Sequence, residues 1–149
     1  DALPQASYGQ GQVVASPLQM ARVAGAICNQ GRLVPSRIVL GEDSPEGKTC
    51  FSEANAAMLS GYMRRAVMEG TGKQANKAAI TVAGKTGTAE LRDKPSHAWF
   101  VGFAPYGGGE REIAFAVLIE NGRYGGRVAA PAAAEIADAA AELGLIGGE

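Results

Sequence analysis

Apolar residues recur along the chain at two spacings, and the change from one to the other divides it. After Ser16-Pro17, the positions Met20, Val23, Ala24, Ile27 and Cys28 fall three and four apart, which keeps them on one side of a helix. A serine can accept from a first-turn N–H and a proline at the first helical position lacks an N–H that would go unpaired, so this pair opens the helix. Asn29-Gln30-Gly31 closes it. A second helix is predicted after Ser52, with Met58, Leu59, Tyr62, Met63, Ala66 and Val67 forming one apolar stripe and Gly70-Thr71-Gly72 ending it; the stripe is expected to be core. Between the helices, residues 33–40 read as extended and "GEDSPEGK", residues 41–48, as a surface turn.

Beyond residue 80 the pattern becomes that of strands. Three are predicted, over residues 80–91, 97–104 and 112–120, joined by "RDKPS" and "PYGGGER". Connectors this short favour antiparallel hairpins. The third strand, "IAFAVLIE", is nearly all apolar rather than alternating, as expected of a strand covered on both faces. Pro131 then opens a closing helix that keeps Ala133, Ile136, Ala137, Ala140 and Leu143 on one side and stops at Gly144. Small alanines let such a helix lie close against a sheet. No repeat or linker divides the chain, so helices, a run of strands and a closing helix predict one α+β unit with an antiparallel sheet.

Composition narrows the partners. A chain of 149 residues is long enough to bury roughly 70% of its unfolded surface. Fourteen Lys and Arg against fifteen Asp and Glu leave a net charge of −1 with no like-charge block, so nucleic acid is not an expected partner. The longest apolar run, residues 113–119, is far short of the ~20 residues that cross a bilayer. Asp1 opens no signal-peptide layout, and any anchor or export signal is expected outside this chain. Cys28 and Cys50 lie in no metal-ligand spacing and the chain holds one histidine; no metal or cofactor is called for, and Cys28 reads as a small hydrophobe on a helix face.

The candidate chemistry sits in "AITVAGKTGTAE", residues 79–90. Gly84-Lys85-Thr86 matches the end of a phosphate-binding loop, but the first glycine of that motif is replaced by Ala79 and the intervening Ile80-Thr81-Val82-Ala83 is strand material, too stiff to wrap an anion. "GTGKQ" and "GQGQVV" fail similarly. Kept in a strand, Lys85 and Gly87 share one face and Thr86 and Thr88 the other, while the main chain offers N–H and C=O groups along an edge. An ammonium there favours an anionic nucleophile or oxyanion, threonine hydroxyls suit a carboxylate, and a backbone N–H suits a developing oxyanion.

Lys85-Thr86-Gly87-Thr88-Ala89-Glu90 resembles the K-T-G motif of class B high-molecular-weight penicillin-binding proteins, the peptidoglycan D,D-transpeptidases. So do "SYGQGQVVASPLQMARVAGAICNQG" (residues 7–31), "EGTG" (69–72), "HAWFVGFAP" (97–105) and "ENGRYGGRVAAP" (120–131), in the same order. The resemblance implies the transpeptidase fold of the serine β-lactamase type, an antiparallel sheet with helices on both faces. It implies acyl transfer from the D-Ala-D-Ala end of a stem peptide through an active-site serine, with β-lactam antibiotics as competing ligands. By the same resemblance Lys85 and Thr88 are catalytic, Lys85 bonding the serine of an S-x-N motif and the Thr88 N–H forming half of the oxyanion hole. Thr86, Gly87 and Thr88 bind substrate, and His97 is structural. The implied setting is the extracytoplasmic side of the bacterial cytoplasmic membrane, beside a membrane-embedded partner in cell-wall synthesis.

One departure is large. None of Ser7, Ser16, Ser36, Ser44, Ser52, Ser60 and Ser96 has lysine three residues on, or asparagine or aspartate two residues on. The S-x-x-K and S-x-N motifs are therefore absent, and residues 1–149 are read as the C-terminal portion of one transpeptidase domain, requiring its N-terminal half as partner. Alone, the chain is expected to be inactive, with its third strand left unpaired on one side. A class D-type serine β-lactamase and a non-enzymatic β-lactam sensor are the alternatives that share a K-T-G strand.

Overall fold

The computed structural model describes residues 3–11, 13–39 and 46–147. A short helix α1 (Leu3–Ala6) precedes α2 (Pro17–Cys28). The predicted opening of α2 is a capping box: the Ser16 hydroxyl accepts from the Gln19 N–H at 3.2 Å and the Ser16 N–H donates to Gln19 Oε1 at 2.7 Å, satisfying two end groups reciprocally. Of the predicted extended segment, residues 33–40, only Leu33 pairs among the described residues, as part of β1 (Arg32–Leu33) with β2 (Lys48–Thr49). Most of the surface turn between them lies outside the described residues. Helix α3 (Glu53–Met68) starts at Ser52, whose hydroxyl accepts from the Asn55 N–H, and a 3-10 turn (Lys73–Lys77) leads into the sheet.

The sheet is antiparallel in the order β3 (Ala83–Leu91), β4 (Lys94–Ala104), β5 (Ile113–Ile119). The first hairpin is tighter than "RDKPS" suggested. Leu91 pairs with Lys94 across Arg92-Asp93, and a register shift between Ala89 and Leu91 absorbs the extra length, which lets Pro95 sit in β4 at an irregular, edge-like position. Register places Ala98, Phe100, Gly102 and Ala104 on one face with Ile119, Val117, Phe115 and Ile113. The other face carries Trp99, Val101 and Phe103 opposite Gly87, Lys85 and Ala83.

Helices cover both faces, as the apolar run of β5 implied. Gly25 of α2 packs on Ala114, where a Cβ at Gly25 would lie 3.5 Å from the alanine methyl. On the opposite face, α4 (Gly125–Glu142) lays Ala129, Ala130, Ala133 and Ala137 on Phe100 and Phe115, whose rings stack at 6.2 Å. Burying a phenylalanine such as Phe100 contributes about 1.5–3 kcal/mol.

Two expectations are corrected. Pro131 does not open the closing helix, which begins at Gly125 and carries Pro131 inside it. The two glycines that open the helix are there for contact: a Cβ on Gly125 would come 2.3 Å from Trp99 O and 2.6 Å from Gly87 O, and one on Gly126 2.4 Å from Thr71 O. Pro131 removes one N–H whose partner would be the carbonyl of Arg127, an exposed residue that water can satisfy. The α3 stripe is also not core throughout. Val67 is fully buried, but Met58, Leu59 and Tyr62 are exposed, because no described element lies against that side of the helix.

Candidate active site

Alternation along β3 turns Lys85 and Gly87 to the Trp99 face and Thr86 and Thr88 to the α4 face, as predicted. Lys85 is exposed, and its ammonium donates to the Thr86 carbonyl at 2.8 Å. Thr86 is the buried polar residue of the core, with its hydroxyl 2.5 Å from that of Thr71. Thr88 is exposed at the edge of a cleft of about 330 Å³ lined also by Glu90, Lys94, Ser96, Arg123 and Tyr124. Gly87 lies under Trp99 and against Gly125. The element that its lack of a side chain admits is thus the start of α4.

The main chain of β3 has a directional feature. In an antiparallel ladder a residue's N–H and C=O point to the same neighbour, and residues alternate between the two sides. Strand β3 has β4 on one side and, among the described residues, no strand on the other. The Thr88 carbonyl accepts from Gln10 Nε2 at 2.9 Å, so it faces away from β4. The Thr88 N–H must face the same way. The carbonyls of Val82 and Thr86, of the same parity, also take side-chain donors, from Arg64 at 2.8 Å and from Lys85.

Sequence reasoning assigned no role to Gln10, Thr71 or Arg64. Gln10 and Thr71 fall in stretches that the family resemblance singled out, "SYGQGQ" and "EGTG", and that was the available signal. His97 accepts through Nδ1 from the Asn121 N–H at 3.0 Å, and the Arg123 N–H donates to Ser96 O at 2.8 Å. These bonds hold Asn121 and Arg123 at φ of 56° and 69°, the left-handed region that non-glycine residues adopt only when their surroundings enforce it.

The groups with displaced titration lie elsewhere. A second cleft, about 510 Å³, opens at the Ala83–Phe103 end of the sheet beside Cys28, Ser60, Phe103, Tyr106 and Glu112, roughly 17 Å along β3 from Thr88. Burial, and then the Glu112 charge, push the Cys28 thiol up to about 11, and burial raises the Glu112 carboxyl above its ordinary value. Both cysteines are free. Raised in this way, the part-buried Cys28 thiol stays protonated near neutral pH, and a protonated thiol is a poor nucleophile.

A three-stranded antiparallel sheet between α2 and α4, with a lysine and two threonines on a strand whose outer edge is free among the described residues, defines an α+β fold with a candidate site along β3. Residues 3–138 match the penicillin binding protein transpeptidase domain, and the chain belongs to that family. It is 32% identical over 151 residues to the peptidoglycan D,D-transpeptidase MrdA of Acinetobacter baumannii, covering 83% of this chain and 22% of the relative. With the peptidoglycan D,D-transpeptidase PbpA of Mycolicibacterium smegmatis it shares 35% over 150 residues, 87% of this chain and 30% of the relative. Among solved structures, penicillin-binding protein A from M. tuberculosis, an imipenem acyl-enzyme complex, superposes with TM-score 0.72 at 31% identity, over 93% of this chain and 34% of that one. PBP2 of Helicobacter pylori, in complex with MreC, superposes with TM-score 0.81 at 28% identity, over 94% and 27%. The chain thus spans well under half the length of these proteins.

Proposed function

We propose that this chain is the C-terminal portion of the catalytic domain of a serine-type peptidoglycan D,D-transpeptidase and supplies its K-T-G strand. The observation that carries the reading is the orientation of Thr88, whose N–H faces the free edge of β3 beside Lys85. In this reading the stem peptide lies along that edge. Lys85 provides positive charge to the serine of the S-x-N motif, which comes with the nucleophile from the N-terminal half. The Thr88 N–H donates to the oxyanion that forms as the serine attacks the D-Ala-D-Ala bond. The exposed Thr88 hydroxyl holds the terminal carboxylate; the Thr86 hydroxyl, which the resemblance also assigns to it, is buried against that of Thr71. D-alanine leaves, and an amine of a second stem takes the acyl group.

β-Lactams are ligands of the same edge in this reading, which the acyl-enzyme complex of the M. tuberculosis relative supports. The MreC complex of the H. pylori relative supports an assembly partner in cell-wall synthesis. No described helix is long and apolar enough to cross a membrane, and the extracytoplasmic, membrane-anchored setting is part of the proposal.

The test is acylation by a fluorescent penicillin, read by intact mass. A polypeptide that joins this chain to the N-terminal half should gain one adduct. This chain alone should gain none, since it has no S-x-x-K serine. Lys85→Ala should slow acylation by about 10- to 100-fold, the worth of a charge-assisted hydrogen bond, while the melting temperature holds. An adduct on this chain alone, or an unchanged rate in Lys85→Ala, would remove the assignment.

A further inference from the structure

We infer that Gln10 is a positioning residue for the Thr88 N–H, an inference that rests on the acyl-transfer reading of the β3 edge. Gln10 lies seventy-eight positions before Thr88 in sequence, yet its carboxamide reaches the Thr88 carbonyl at 2.9 Å. Its delivery is built into the backbone, because Gly9 and Gly11 on either side hold φ of 79° and 73°, a conformation that only glycine adopts freely. The Ser7 hydroxyl donates to Pro4 O at 2.6 Å and the Gly9 N–H to Ala6 O, fixing the turn that precedes them.

The consequence follows from the direction of the groups along the edge. An extended strand offers donors and acceptors alternately to whatever lies beside it. Here the carbonyls of Val82, Thr86 and Thr88 are occupied by Arg64, Lys85 and Gln10, while the N–H groups of Thr86 and Thr88 face the same side with no strand beside them. The edge is left rich in donors. That suits a group that only accepts, an oxyanion or a carboxylate. Uncapped, the Thr88 carbonyl would turn its negative end toward the charge developing at the Thr88 N–H. With Gln10 in place its dipole is opposed, and the peptide group that follows Thr88 is held just before the register shift at Ala89.

A substitution that exchanges donor for acceptor separates this role from a structural one. In Gln10→Glu the protonated carboxyl still donates to the Thr88 carbonyl, whereas the carboxylate repels it. The experiment measures acylation by a fluorescent penicillin in the polypeptide carrying both halves of the domain, as the ratio of variant to wild type from about pH 3.5 to pH 7, a range that spans the ordinary glutamate titration. The expected result is a ratio near one at the acid end that falls about tenfold or more as the glutamate ionises. Gln10→Ala should show a pH-independent loss of about tenfold, with a melting temperature close to wild type, which keeps the test open if the glutamate variant folds poorly. Overturning results are an unchanged rate in Gln10→Ala, or a Gln10→Glu ratio flat across the range. A wild type that is not acylated at all would bring down the acyl-transfer reading, and this inference with it.

Discussion

On α4 the residues turned to the sheet are alanines, and Ala129, Ala130, Ala133 and Ala137 are fully buried, whereas on α3 the largest apolar side chains stand in solvent, with Met58 49% and Tyr62 57% exposed. Burial here does not follow residue size. Small residues on α4 allow its backbone to come within contact of β3 and β4, which closes that face within the chain. The large residues of α3 have no described partner. A hydrophobic stripe states that a surface is meant to be covered, and nothing in its spacing states whether the covering element belongs to the same polypeptide. The contrast separates a face completed within the chain from one left open among the described residues.

The largest effect is expected on the closed face. Phe100 is fully buried, and its ring fills the space left by Gly84 and Gly102, where a Cβ would come 2.3 Å and 2.8 Å from ring atoms. Phe100→Ala should cost about 3–5 kcal/mol in denaturant unfolding. A loss under ~1 kcal/mol would mean that this face is not the core of the piece. Next comes the spacing of α4 from the sheet: Ala133→Leu adds volume where there is none to fill, and about 1–3 kcal/mol should be lost.

These expectations bear on what was legible beforehand. Ser16-Pro17, Ser52 and the K-T-G strand rest on interactions between residues close in sequence, and each is observed where the local rules put it. The start of α4 was misplaced because Gly125 and Gly126 answer to Trp99, Gly87 and Thr71, which only the folded chain brings near. Local spacing gave Gln10 and Thr71 no role for the same reason: their hydrogen bonds to Thr88 and Thr86 are tertiary, and the resemblance marked only the stretches that hold them. The α3 stripe was legible as apolar and illegible as exposed.

A smaller effect should distinguish the two cysteines, one in each environment. Cys28 is part-buried and donates to Gly25 O at 3.3 Å, while Cys50 is exposed. At pH 8 iodoacetamide should label Cys50 well before Cys28. Burial and Glu112 raise the folded Cys28 thiol from 9.0 to about 11, so the folded state keeps a proton that the unfolded chain gives up. Its contribution to stability is present in full below pH ~9 and is lost as pH rises toward ~11. Cys28→Ala should flatten that alkaline decline; an identical decline in the variant would assign it to other groups.

The smallest effect within the isolated chain belongs to the open face, and there the comparison is decided. Met58→Ser combined with Tyr62→Ser removes two exposed apolar side chains that touch no described element of the core, so unfolding of this chain alone should shift by less than about 0.5 kcal/mol. If the stripe is covered in the intact domain, the same pair should cost several-fold more when the N-terminal half is present, because each apolar side chain then loses burial worth about 1.5–3 kcal/mol. The measurement is a pair of denaturant titrations, one on this chain and one on the joined halves, with and without the two substitutions. Equal shifts in both would mean that α3 keeps its apolar face in solvent in the complete protein too. A large shift in the isolated chain would mean that the stripe already packs within it. Only a small shift alone and a large one together would establish α3 as the helix this piece holds ready for the rest of its domain.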